Sequence, residues 1–302
     1  MKRLGLILIL LLFASVAPAK GSFPGPLVGA DWLLGQQDKG DILILDIQEP
    51  PMYVRHHIPG AVNLPFSQWR TGPKGKPPMS LPPLAVLAER LGRLGITRET
   101  PLVIVTTGTG AGDLAAAARV WWSLAVLGHE DMAILDGGLV SWVNEFKGPY
   151  TSGMMEERRP ARYEPRPRRT LLATREELLK GVKQPLLDAR SPQEHLGLIA
   201  AAGDRPGTIP GGHNLPFDWL VDGKGRLRSR EAIRKLFAWA GVPEGKAVHF
   251  CHTGNRASLT WFADYAVLGN REARLYDGSI LDWSAHPEDP MERKLDLGDG
   301  SR

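Results

Sequence analysis

The chain has a single cysteine, Cys251, in the polar loop Cys251-His-Thr-Gly-Asn-Arg256. The preceding Val248-His-Phe250 has the composition of a buried strand, and the following Ala257-Ser-Leu-Thr-Trp-Phe-Ala-Asp-Tyr-Ala266 has helical composition and spacing. A strand, loop and helix in that order turn backbone N–H groups and a helix N-terminus toward the loop, and both favour negative charge. Thiolate is the nucleophilic form of cysteine, and Arg256 adds a cation that favours it. The polar and small neighbours of Cys251 argue against a thiol that only packs. Gly254 permits a positive φ or a close backbone approach. Asn255 is expected to shape the loop through side-chain to backbone hydrogen bonds. His252 reads as a solvent-facing loop histidine, because a thiolate already formed needs no general base. Asp188 and Arg190 follow another strand end, so Arg190 is expected to reach an anion over Cys251, with an Asp–Arg surface pair as the alternative. His57 and His213 lie beside Pro-Gly turns and read as turn or packing residues, and no spacing fits a zinc or iron site.

The elements that must position this loop occur twice. The first half has Ile42-Leu-Ile-Leu-Asp46, then His57-Ile-Pro-Gly-Ala-Val-Asn-Leu-Pro-Phe66; the second has Pro185-Leu-Leu-Asp188, then Thr208-Ile-Pro-Gly-Gly-His-Asn-Leu-Pro-Phe217. Each half continues with an apolar strand (Leu102–Val105, Ala247–Phe250), a polar loop and a helical stretch ending in Leu-Gly. Each then closes on an acidic glycine turn with a tryptophan, Asp136-Gly-Gly138 with Trp142 and Asp277-Gly-Ser279 with Trp283. Short apolar strands alternating with helices predict an α/β domain in each half, with a mainly parallel sheet flanked by helices. Between the halves, residues 148–169 are rich in Pro, Gly, Arg and Glu without apolar periodicity, and read as a linker. The first-half counterpart of the cysteine loop, Thr106-Thr-Gly-Thr-Gly-Ala-Gly112, lacks the Gly-Lys-Ser/Thr ending of a phosphate loop. It offers Thr106 at the nucleophile position, and a threonine without an activating base predicts a silent domain.

With 302 residues, 43% of them hydrophobic, the chain is long enough for two cores. Lys2 and Arg3, the apolar run Leu4 to Val16 and Ala17-Pro18-Ala19 read as a cleaved secretory signal over residues 1–19, since the run is shorter than the roughly 20 residues that span a bilayer. The mature protein is therefore expected in a periplasm or secreted, with no membrane attachment. One cysteine excludes an internal disulfide there. The 37 basic residues against 33 acidic ones, two of the basic ones in the leader, give no case for nucleic-acid binding.

Taken in order, the two Ile-Pro-Gly motifs, the Asp136-Gly-Gly and Asp277-Gly-Ser turns with their tryptophans, and a cysteine opening the loop of the second half alone resemble the tandem-domain rhodanese-like sulfurtransferases, over about residues 25 to 290. The resemblance implies two tandem rhodanese-like domains: an inactive copy over 25–147, the linker at 148–169, and a catalytic domain over 170–295. It implies that Cys251 carries a persulfide between an anionic donor, thiosulfate foremost, and a thiol, cyanide or protein-thiol acceptor, with no cofactor or metal. Arg190, Arg256, His252, Thr253, Gly254 and Asn255 would form the substrate-binding set, with Asp188 and Asp277 supporting it and loop N–H groups stabilising the charged persulfide. The loop departs from the Cys-Arg-Lys-Gly-Val-Thr form of thiosulfate enzymes and from the Cys-Gly-Ser/Thr-Gly-Val-Thr form of mercaptopyruvate enzymes, and is closer to the Cys-x-x-Gly-x-Arg form of single-domain relatives. A second substrate-binding arginine after Arg190 is absent, with Glu194 and His195 in its region. Two alternatives stay open: a persulfide carrier serving a protein partner, and a cysteine-dependent phosphatase or arsenate reductase, whose loops are longer than the four residues between Cys251 and Arg256.

Overall fold

The structure, a computed structural model, describes residues 23–36, 39–72, 74 and 78–298, and the expected leader at 1–19 lies outside them. The repeat is seen directly. The first half forms strands β1 (Leu27–Val28), β2 (Leu43–Asp46), β3 (Val62–Asn63), β4 (Leu102–Val105) and β5 (Met132–Leu135), in the order β1-β5-β4-β2-β3. The second forms β6 (Leu172–Ala173), β7 (Leu186–Asp188), β8 (His213–Asn214), β9 (Val248–Phe250) and β10 (Arg274–Tyr276), in the matching order β6-β10-β9-β7-β8. All pairings in both sheets are parallel. The central strands read as unbroken apolar runs because helices cover both faces of each sheet.

Register does the first positioning step. Asp46 lies opposite Val105, and Asp188 opposite Phe250, so each strand-ending carboxylate sits beside the loop that begins at Thr106 or Cys251. The loops are brought together by the helices that follow them. Ala111–Val126 is apolar on nearly every face because it lies between its own sheet and the equivalent helix, Asn255–Phe262, which continues as a π-helical turn to Leu268. Trp121 meets Trp261 at 5.8 Å and Phe262 at 5.4 Å between ring centres. One apolar cluster consequently runs through both halves.

No helix or strand forms between Glu145 and Arg169, and the segment is held along the first domain. Its backbone donates from Ala161 to Gly92 and from Arg166 to Leu127, and buried Tyr163 reaches His129 at 3.3 Å. His57 packs as expected, stacked on Tyr53 at 3.9 Å with Nδ1 on the Tyr53 carbonyl. Among the described residues, no helix is long and apolar enough to cross a membrane.

Candidate active site

Cys251 follows β9 directly and is 1% exposed. Its loop is fixed from below by the acidic glycine turn of the same domain. Ser279 Oγ accepts the N–H groups of Cys251 and Gly254, each at 3.1 Å, and donates to the Tyr276 carbonyl at 2.9 Å. Ile280 and Leu281 donate to the carbonyls of Cys251 and His252. Ser279 holds these bonds at φ +53°, a left-handed conformation that costs a non-glycine residue about 1 kcal/mol or more. Two of the N–H groups expected to face a persulfide are thus taken by Ser279. The first turn of the helix at Asn255, whose N–H groups have no intrahelical acceptor, remains open to an anion.

Gly254 fulfils both expectations made of it. Its φ is +74°, and a Cβ there would stand 2.6 Å from Arg119 Nη1 and 2.7 Å from Asp277 Oδ1. Asp277 supports the loop across the domain boundary: Oδ2 accepts the Leu81 N–H at 2.7 Å, and Oδ1 contacts the fully buried Arg119 guanidinium, which lies over the Trp122 ring. Thr253 presents its carbonyl to Arg70 Nη2 at 2.9 Å. His252 is partly exposed and pairs with Asp204 at 2.9 Å. Asn255 does not brace the loop as expected, because Oδ1 is buried without a hydrogen-bond partner among the described residues.

The two arginines expected to bind substrate are each paired with a carboxylate. Arg190, 3% exposed, forks onto Asp188 and donates to the Gly207 carbonyl at 2.7 Å. Its reach to an anion over Cys251 is therefore corrected to the alternative pair, in buried form. The first domain shows why this is a strut. Gln48 occupies the same place, with Nε2 on Asp46 and on the His56 carbonyl. The partner decides the carboxylate. Burial pushes Asp46 up to about 6 despite the Gln48 bonds, whereas the His195 and Arg190 bonds outweigh burial and hold Asp188 below its ordinary value. Arg256 forms a bidentate pair with Glu194, 2.7 Å in both arms, and Glu194 also closes the capping box at Ser191. Burial works against both charges, but the pairing outweighs it and pulls Glu194 down to about 2 while Arg256, also facing Cys251, is held above its ordinary value.

The missing positive charge comes from the other domain. Arg70, just past the turn Phe66–Trp69, donates to Met79 and Thr253 carbonyls and feels Cys251. Burial and the nearby Arg119 cation lower it to about 10, which leaves it protonated at neutral pH. Nothing in the sequence around Arg70 marks it, since its role depends on the packing of the two halves. Ser279 was legible in principle, as the one departure of the second acidic turn from Asp-Gly-Gly. The first-domain loop has the same carbonyl anchors, Leu139 and Val140 donating to Thr106 and Thr107, but a different content. There Asp113 Oδ2 accepts the N–H groups of Gly108 and Thr109 and the Thr109 hydroxyl. The loop's anion positions are filled by its own carboxylate.

The Rhodanese-like domain matches residues 29–145 and 174–286. The chain belongs to the rhodanese family. It is 30% identical over 277 residues to a Mycobacterium bovis protein named "Putative thiosulfate sulfurtransferase 1", covering 88% of this chain and 97% of the relative. It is also 30% identical over 276 residues to the "Sulfur carrier protein TtuD" of Thermus thermophilus, covering 86% and 94%. Among solved structures, the anaerobic ergothioneine biosynthesis enzyme from Chlorobium limicola with trimethyl histidine superposes at a TM-score of 0.78, 22% identical, over 90% of this chain and 71% of that one. That likeness shows the shared rhodanese fold.

Proposed function

We propose that this rhodanese-family protein transfers a sulfane sulfur through a persulfide on Cys251. The observation that carries the reading is the asymmetry between two otherwise matching loops. At Cys251 the cations of Arg70 and Arg256 face the sulfur, while the loop at Thr106 is neutralised by Asp113. The Cys251 thiolate attacks the outer sulfur of thiosulfate, the donor's S–S bond breaks, and sulfite leaves with its electron pair. The enzyme keeps one sulfur as Cys251–S–S⁻, held by the helix N-terminus and the two arginines. A nucleophilic acceptor then attacks the terminal sulfur and releases the thiolate, so the kinetics are ping-pong. The leader pattern at residues 1–19 supports a periplasmic or secreted setting for this chemistry.

Intact mass after incubation with thiosulfate tests the reading. Wild type gains one sulfur and Cys251→Ser gains none; wild type left unmodified by thiosulfate, mercaptopyruvate and polysulfide alike refutes it. The relative named as a sulfur carrier favours a second form of the same chemistry, delivery to a protein thiol. Sustained turnover with cyanide separates an enzyme from a dedicated carrier.

A further inference from the structure

We infer that Arg70, supplied by the domain without a nucleophile, selects a doubly charged sulfur donor at Cys251. The inference rests on the persulfide reading above and names the residue that sets its donor class. Nearly every cation around the loop has a carboxylate of its own: Arg190 has Asp188, Arg256 has Glu194 and Arg119 has Asp277. Arg70 is the exception. Its hydrogen bonds go to the carbonyls of Met79 and Thr253, its guanidinium lies 5.9 Å from the centre of the Phe66 ring, and no carboxylate pairs with it among the described residues. Asp277 contacts Arg119, and Arg70, bonded to the loop at the Thr253 carbonyl, has no such partner, which leaves its positive charge in excess beside the loop.

The repeat supplies an internal control. The turn Phe66–Trp69 corresponds to Phe217–Leu220, and the residue after it is Arg70 in one case and Val221 in the other. Val221 is buried in the common core. The segment that follows it overlies the silent loop, with a Cβ at Gly225 placed 3.2 Å from the Gly108 carbonyl. At this position the cation stands on the segment facing the cysteine and Val221 on the one facing the threonine, where the segment's own arginine, Arg226, is paired with Glu145.

An excess positive charge in a low-dielectric site discriminates by donor charge. Thiosulfate brings two negative charges and an alkanethiosulfonate brings one; both give up their outer sulfur to the thiolate, releasing sulfite or an alkanesulfinate. The test is the rate of persulfide formation, read by intact mass, against concentration of thiosulfate and of methanethiosulfonate. Arg70→Gln is expected to lose about ten- to a hundredfold in loading efficiency with thiosulfate, chiefly through apparent affinity, and only a few-fold with the thiosulfonate. Arg70→Lys keeps the charge and is expected to retain the preference for thiosulfate, which separates charge from folding should the Gln variant be unstable. Equal losses with both donors, or an Arg70→Lys variant that loses the preference, overturn the inference while leaving the persulfide reading intact. Wild type that loads from neither donor overturns the inference, and wild type that also stays unmodified with mercaptopyruvate and polysulfide overturns the persulfide reading as well.

Discussion

Removing one hydroxyl, that of Ser279, tests whether the acidic glycine turn holds the reactive loop. The Oγ is fully buried and accepts two N–H groups, from Cys251 and Gly254, while donating to Tyr276. Ser279→Ala leaves both donors buried and unpaired, at about 1–2 kcal/mol each, so the cost is about 3 kcal/mol. Ser279→Gly loses the same bonds but relieves the left-handed φ of +53°, which returns about 1 kcal/mol. The expected order of stability is wild type, then Gly, then Ala, read from urea unfolding followed by tryptophan fluorescence. The same bonds fix the backbone on either side of the nucleophile, so single-turnover sulfite release should slow by about tenfold or more in both variants. An Ala variant as stable and as fast as wild type, or a Gly variant less stable than Ala, would refute the reasoning.

Two further outcomes follow from the repeat. Asp46, pushed by burial from an ordinary 3.8 up to about 6, holds its proton more tightly folded than unfolded; its contribution is full below pH 3.8 and is lost as pH rises through about 6, a change of about 3 kcal/mol. Subtracting the pH–stability profile of Asp46→Asn from that of wild type should reveal this fall, and a flat difference would contradict it. In a Cys251→Ser background, Thr106→Cys should gain no sulfur from thiosulfate, because Asp113 occupies the loop's N–H groups and repels a dianion; a mass increase of one sulfur would show that the silent copy lacks only a thiol.

Much of the fold was legible because the signals that set it are local. The apolar runs before Asp46 and Asp188, the paired Ile-Pro-Gly turns and the Leu-Gly helix ends each declare their element, and their recurrence in the same order declares two matching sheets. Cys251 and Gly254 were legible for the same reason, since a lone thiol and a glycine in a short polar loop carry their meaning within a few residues. Arg190 misled because position beside a strand end does not say which way a long side chain turns. Asp188 lies two residues away and its full burial demands a cation, a need that the neutral Gln48 leaves unmet for Asp46. Asn255 misled in the opposite sense, its composition promising a brace that the hydroxyl of Ser279 provides. Arg70 and Arg119 were out of reach of any local pattern, because their partners stand in the other half of the chain.

Those cross-domain partners explain what a domain without a nucleophile contributes. Each half closes the other's acidic turn by one backbone bond, Leu81 to Asp277 and Leu227 to Asp136. This reciprocity is structural, and it would be satisfied by two inert domains equally well. The charges do not follow it. Arg119 and Arg70 both come from the first domain and both bear on the Cys251 loop, whereas Arg226, from the second, pairs with Glu145 and bonds Ser141 at the silent side. A guanidinium withdrawn from water needs its charge answered, and beyond Asp277 the persulfide proposed at Cys251 would supply that answer. On that proposal the first domain carries part of the electrostatic work of a reaction whose covalent steps belong to the second, and the two domains act as one site.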